Sequence, residues 1–190
     1  ASFVVQGSRV ADIGTELAAL PVYLIQMGRA TCVVAVESSR SCYFKAKANV
    51  SEAGLEGSIQ VRYGNGLQAV HPGEVDTIII AGLGGLSIQG ILLEGRNVWA
   101  PAQRLILQPM DRVSSTRRFL YECGWHLAGE DMVRDRRRYY EILCAEPGPR
   151  NMPCDLLLEV GPLLMEQKHP LLGAKIRQDI AYWEGVMGRP

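Results

Sequence analysis

The sequence predicts an α/β protein built on a doubly wound, seven-stranded sheet with a short helical extension at its C-terminal end. Three observations predict it. Short apolar runs alternate with helical segments almost from the first residue, the order that produces a mostly parallel sheet with crossover helices. The run over residues 32–36 is continuously apolar, as a parallel strand covered on both faces requires. The alternation then closes in two consecutive strand-like segments joined by a short charged turn, the pattern of an antiparallel hairpin.

Residues 10–13 form the first strand, and the mostly apolar residues 17–27 form a helix closed by Gly28, with Pro21 within its first turn where a missing N–H costs little. Residues 32–36 are the second strand, ending at Glu37, and residues 41–53 the helix behind it, stopped by Gly54. Residues 58–63 alternate and give the third strand, followed by Gly64, Asn65 and Gly66. Residues 76–81 are the most β-branched run and the fourth strand, from which Gly82, Leu83, Gly84 and Gly85 lead into a helix reaching Leu93. Residues 104–107 are the fifth strand, ending at Gln108, Pro109 and Met110. Ser114 and Ser115 can cap the next helix, through Tyr121, because a serine hydroxyl accepts from free first-turn N–H groups. Past Gly124, residues 125–133 and 138–145 form the hairpin.

Pro147, Gly148 and Pro149 read as a linker, which places the sheet domain at residues 1–149 and the helical extension at 150–190. In the extension, residues 156–165 are helical and Pro170 interrupts. Ile176, Ile180, Trp183 and Met187 then make an apolar stripe that packs on the body or seats a partner.

A chain of 190 residues with 47% apolar and 21% charged content suits one soluble globular domain. Its 20 basic and 20 acidic residues cancel, so any polyanion site must come from local segregation of charge. Five cysteines, odd in number and without a Cys-x-x-Cys pair, suit free thiols in the cytoplasm better than a disulfide frame or a zinc site. No apolar run approaches the roughly 20 residues of a membrane-spanning helix, and no signal peptide opens the chain. Without an initiating Met and with an abrupt end, the chain reads as trimmed at either terminus.

In a doubly wound sheet, ligands bind beyond the carboxyl ends of the strands, so the candidate site lies in the loops after strands one to five. The first loop offers Gly14 alone, flanked by Asp12, Thr15 and Glu16, where a dinucleotide fingerprint requires further glycines against pyrophosphate. Carboxylates repel pyrophosphate and suit S-adenosylmethionine, which is cationic and carries no phosphate; an ordinary turn with an incidental acid is the other reading. Glu37, with Ser38 after it, stands where an acid accepts from both ribose hydroxyls, or forms a surface ion pair. Gly64, Asn65 and Gly66 frame an adenine edge or make a simple turn. Ala81, Gly82, Gly84 and Gly85 clear space for a flat base beside the sulfonium, or only tighten a strand-to-helix connection.

Methylation of an aromatic nitrogen needs little general-base help, because the lone pair is itself the nucleophile. No catalytic base is assigned, and His71, His126 and His169 read as structural or surface residues. Positive charge gathers at Arg112, Arg117 and Arg118 after strand five and at Arg134, Arg136, Arg137 and Arg138 in the hairpin turn, either as solvated surface or as contacts to an RNA backbone.

The run Val10-Ala11-Asp12-Ile13-Gly14-Thr15-Glu16, with Leu20-Pro21-Val22-Tyr23-Leu24 behind it, resembles the opening of the bacterial tRNA adenine-22 N1-methyltransferase family. The likeness continues through Gly64-Asn65-Gly66-Leu67, Ile79-Ile80-Ala81-Gly82-Leu83-Gly84-Gly85, Leu105-Ile106-Leu107-Gln108-Pro109, Tyr140-Glu141-Ile142 and Gly161-Pro162-Leu163-Leu164. It implies a Rossmann-like class I methyltransferase that uses S-adenosylmethionine to methylate N1 of an adenine in tRNA. It further implies that Gly84, Gly85, Gln108, Pro109 and Tyr140 face the substrate. The chain departs from the family pattern at Leu17, Ala19 and Met110. A same-fold methyltransferase acting on another RNA or a small molecule, and a non-catalytic binding module, are the alternatives.

Overall fold

The structure is a computed structural model that describes residues 1–187, with side chains through residue 185. Seven strands form one sheet: β1 (Ser8–Ile13), β2 (Ala30–Glu37), β3 (Ile59–Tyr63), β4 (Thr77–Leu83), β5 (Arg104–Pro109), β6 (Trp125–Asp135) and β7 (Arg138–Pro147). Their order is β3-β2-β1-β4-β5-β7-β6, with the first five parallel and β7 antiparallel to both neighbours. The chain winds outward from β1 to β3 and then crosses back to β4, so the strand order reverses between β1 and β4. That switch point fixes where a ligand binds.

Alternation along each strand divides the core into two layers. Ala11, Ile13, Ile78, Ile80, Leu105 and Leu107 face the helices α3 (Gly85–Glu94), α4 (Arg96–Trp99) and α5 (Val113–Glu122), where Ile88, Leu92, Trp99 and Leu120 complete one cluster. Val10, Val33, Ala35, Ile79 and Ile106 face α1 (Ala19–Gln26) and α2 (Arg40–Glu52), meeting Leu24, Ala46 and Val50. The sheet is buried on both sides, which is why its central strands are continuously apolar.

Several local expectations change. The first helix starts at Ala19 rather than residue 17, because Glu16 and Ala18 hold φ of 53° and 56°, which a right-handed helix cannot include. Ser114 and Ser115 do not cap α5: Arg112, at φ 50°, precedes the helix without a side-chain cap, and Ser115 Oγ instead accepts from Gln89 Nε2 at 2.9 Å, tying α5 to α3. A serine cap forms on α2, where Ser39 Oγ accepts from Cys42 N at 3.5 Å. The expected helix over 156–165 is two, α6 (Asp155–Val160) and α7 (Pro162–Glu166), broken at Gly161 with φ 98° and restarted by Pro162. Residues 147–149 do not begin free of the sheet, since β7 runs to Pro147 and Gly148 O lies 3.0 Å from His126 Nδ1.

The last helix, α8 (Leu172–Met187), packs through Leu172 and Ile176 against Met132 and Leu164, whereas Ile180 and Trp183 are exposed. The Met187 side chain lies outside the described residues. Polar contacts hold α6 to α8 on the body. Arg117 of α5, fully buried, donates to Glu130 Oε1 at 2.7 Å, to Glu141 Oε2 and to the Leu158 carbonyl at 2.8 Å. Glu130 Oε2 in turn accepts from Leu163 N at 2.7 Å, and Lys175 Nζ lies 3.2 Å from Glu141 Oε1. The expectation that Arg117 belongs to a positive surface is therefore corrected: its charge is buried and neutralised.

Gly85 opens α3 directly against the start of α5. A Cβ there would stand 2.7 Å from the Asp111 carbonyl oxygen and 2.9 Å from Thr116 Oγ1. Gly85→Ala is therefore expected to lower stability by about 1–3 kcal/mol, the cost of overpacking a site with little room to yield, as read by denaturant unfolding.

Candidate cofactor and substrate site

A cavity of about 370 Å³ opens at the carboxyl ends of β1, β2 and β4, at the switch point. Gly14, Glu16, Glu37, Ser38, Asn65, Gly66, Ala81 and Gly82 line it, so most of the residues expected to meet the cofactor converge. Its apolar wall, which the sequence did not announce, is Ile13, Val36, Leu83 and Ile91, with Cys42 beside them. These residues carry no nucleotide-binding pattern; only the packing of α3 over the sheet brings Ile91 there.

Glu37 organises the mouth. It is buried at the end of β2, where Oε2 accepts from Glu16 N at 2.9 Å and Oε1 from Ser39 N at 2.7 Å. One carboxylate thus joins the loop after β1 to the start of α2. The loop is also pinned by Gly14 N and Thr15 N, which donate to the Val36 carbonyl at 2.9 and 3.0 Å. Each carboxylate oxygen retains a lone pair for a ligand hydroxyl.

Asp12, Thr15 and Gly64 stand behind the lining rather than in it. Asp12 is 5% exposed and sits in β1 opposite Ala35 and Ile79. Burial in this apolar layer pushes its carboxyl up from the ordinary 3.8 to about 6; Thr15 acts in the opposite sense, and the Glu37 charge adds to the rise. The Thr15 hydroxyl is buried and reaches no partner at hydrogen-bond geometry among the described residues, an orphan polar atom of the kind that a ligand or water satisfies. Gly64 serves packing, since a Cβ there would stand 2.7 Å from Ala69 Cβ in the 3-10 turn Gly66–Ala69.

The loops after β4 and β5 are joined. Gly82 N donates to Gln108 Oε1 at 2.9 Å, Met110 N to the Leu83 carbonyl at 2.8 Å, and Gly85 N to Asp111 Oδ1 at 2.8 Å. Gln108 therefore buttresses the glycine loop, and Pro109 is buried. Of the three glycines expected to clear space for a base, only Gly82, at φ 75°, has open space beside it. Gly84 meets the Asp111 carboxylate at 3.5 Å, and Gly85 is filled by α5. Tyr140 lies in a separate groove of about 840 Å³, with Met110, Asp111, Arg112, Tyr182 and Trp183. Asp111 had no signal in the sequence; its partner is 26 residues away. His71, His126 and His169 lie outside the cavity lining, His169 Nε2 being 3.1 Å from Asp131 Oδ1.

Among the described residues no Lys or Arg lines the cavity, and its ionisable lining is Glu16, Glu37 and Cys42. That donor set rejects a pyrophosphate and fits a ligand with ribose hydroxyls and positive charge. Joined to a sheet whose β7 enters antiparallel between β5 and β6, it defines an S-adenosylmethionine-dependent methyltransferase. The sequence profile of the tRNA (adenine(22)-N(1))-methyltransferase family matches residues 10–189, and the chain belongs to that family.

A tRNA (adenine(22)-N(1))-methyltransferase of Bacillus subtilis (strain 168) is 33% identical over 191 residues, covering 98% of this chain and 80% of the relative. The crystal structure of the B. subtilis m1A22 tRNA methyltransferase TrmK matches at TM-score 0.90 and 32% identity, covering 97% of this chain and 81% of that one. Streptococcus pneumoniae Sp1610 in complex with S-adenosyl-L-methionine matches at TM-score 0.93 and 34% identity, covering 97% and 86%.

Proposed function

We propose that this chain methylates N1 of an adenine in tRNA, with S-adenosylmethionine as the donor. The observation that carries the reading is the acidic, Lys- and Arg-free cavity at the switch point of a chain in this family. When bound, the cofactor supplies an electrophilic methyl group. Glu37 holds the ribose hydroxyls, Asn65 and Gly66 frame the adenine ring, and Gly14, Glu16 and Gly82 shape the methionine end, with Asp12 and Thr15 behind. Gln108 keeps the Gly82 turn in place and so holds the approach to the methyl clear. The incoming N1 lone pair is the nucleophile, which leaves the residues with alignment rather than proton abstraction as their work.

Residues 1–149 carry the reaction, and the helices α6 to α8 extend the surface offered to tRNA. The exposed Arg134, Arg136, Arg137 and Arg138 meet its backbone, and work on tRNA supports a cytoplasmic location.

Incubation of unmodified tRNA with labelled S-adenosylmethionine, followed by nucleoside mass spectrometry, is expected to yield N1-methyladenosine. Another methylated product would assign a different substrate, and no product a binding module. Glu37→Ala is expected to weaken S-adenosylmethionine binding at least tenfold by calorimetry, since it removes a buried acceptor from the ligand and releases the Glu16 loop; unchanged affinity would end the ribose assignment.

A further inference from the structure

We propose that the 840 Å³ groove is a second nucleotide site, holding an RNA nucleotide next to the adenine that is methylated. The inference rests on the reading of the chain as an RNA methyltransferase. Position is the first argument. Met110 lines the groove, Leu83 lines the cofactor cavity, and the Met110 N–H donates to the Leu83 carbonyl at 2.8 Å, so the two spaces share one wall. An RNA strand that delivers one base to the cavity passes its neighbour across this wall.

Chemistry is the second argument. Tyr139, Tyr140, Tyr182 and Trp183 all line the groove, with Tyr182 and Trp183 edge to face at 5.3 Å and Trp183 58% exposed. Aromatic faces beside guanidinium groups bind single-stranded nucleotides by stacking and phosphate contact. Two of the groove's cations are available to that occupant. Among the lining acids, Asp111 accepts from Gly85 N, Glu141 is held by Arg117 and Lys175, and Asp179 is held by Lys175 at 2.9 Å. Arg112 and Arg138 make no ion pair among the described residues, and the lining acids likewise outside ion pairs are Asp111 and Glu159. The lining carries three cations and four acids, and within it Arg112 and Arg138 are the cations outside any ion pair among the described residues, available to a phosphate. Arg112 is held at φ 50°, a left-handed conformation that a side chain disfavours and that the surrounding loop imposes beside the groove.

The groove carries its own reporter. Trp99 and Trp125 are 2% and 4% exposed, so ligand quenching of tryptophan fluorescence reads Trp183. Titration of the full chain with a short single-stranded oligoribonucleotide is expected to quench that fluorescence, and the quench to vanish in Trp183→Phe. Arg112→Ala with Arg138→Ala should shift the titration about tenfold and flatten its salt dependence by up to about 1.4 in log–log slope. With tRNA, Trp183→Ala should raise KM about tenfold without changing S-adenosylmethionine affinity; the residue is exposed, so the variant folds. No quench and an unchanged KM in an enzyme that methylates tRNA would overturn the groove site. Quenching in a protein that methylates no tRNA would overturn the methylation reading and leave the groove as an RNA site. Self-association that Trp183→Ala abolishes, without quenching by the oligoribonucleotide, would make the groove a protein seam and overturn the proposal.

Discussion

Arg117→Met is expected to destabilise the protein by about 3–5 kcal/mol, the cost of stranding buried charge. Burial by itself disfavours the charged guanidinium, but the Glu141 and Glu130 carboxylates outweigh it and hold the Arg117 pKa above its ordinary value. Removal of the arginine leaves Glu130 without its cation in a site where its side chain is 0% exposed, and leaves the Leu158 carbonyl without its 2.8 Å donor. Methionine fills much of the volume, so the loss reads charge and hydrogen bonding rather than a cavity. Glu130→Gln in the Arg117→Met background should recover part of the loss. It removes the stranded charge while the amide oxygen still accepts from Leu163 N, which Glu130 Oε2 now meets at 2.7 Å. Denaturant unfolding checks both variants, and a loss below about 1 kcal/mol for Arg117→Met would show that the network does not hold the C-terminal helices to the sheet.

Much of the fold was legible in the sequence because its strands are specified locally. The run through Ile78, Ile79 and Ile80 is β-branched and buried on both faces, so pattern and structure agree without tertiary context. Once five parallel strands are recognised, topology alone brings Gly14, Glu37, Asn65 and Gly82 to one edge, and they do meet in one cavity. What was not legible depends on contacts between distant residues. Arg117 reads like Arg118 in the sequence, yet one is buried among carboxylates and the other half exposed beside Asp155. Gly82 and Gly85 read as equivalent, but one faces open space and the other faces the backbone of Asp111. Gln108 is expected at the substrate, and the structure adds a contact the sequence does not show, its oxygen accepting from Gly82 N. In each case the residue type permits both roles, and the partner that decides lies 13 to 37 residues away.

Asp12 joins the strand pattern to the proposed chemistry, and Asp12→Asn is expected to stabilise the ligand-free protein near neutral pH while weakening S-adenosylmethionine binding. In the unfolded chain the carboxyl titrates at its ordinary 3.8, and in the folded chain at about 6. The folded state therefore binds the extra proton between those values. The stability this group contributes is fully present below about pH 4 and is lost as pH rises through about 6, a change of about 3 kcal/mol. Above pH 6 an ionised carboxylate is held between Ala35 and Ile79 with Glu37 repelling it. Asparagine keeps the shape and carries no charge, so the variant should gain up to about 3 kcal/mol at pH 7 and nothing at pH 4. On the proposed assignment that stored cost is relieved by a cationic ligand, so wild-type affinity should fall as pH drops below 6 and Asp12 becomes protonated. The variant's affinity should be low and flat across the same range. Thermal melts of both proteins from pH 4 to 8, with and without S-adenosylmethionine, test the two halves separately. Parallel ligand-free curves would remove the buried-charge argument, and equal ligand-induced shifts at pH 7 would remove Asp12 from the cofactor site while leaving the acids of the cavity mouth to carry it.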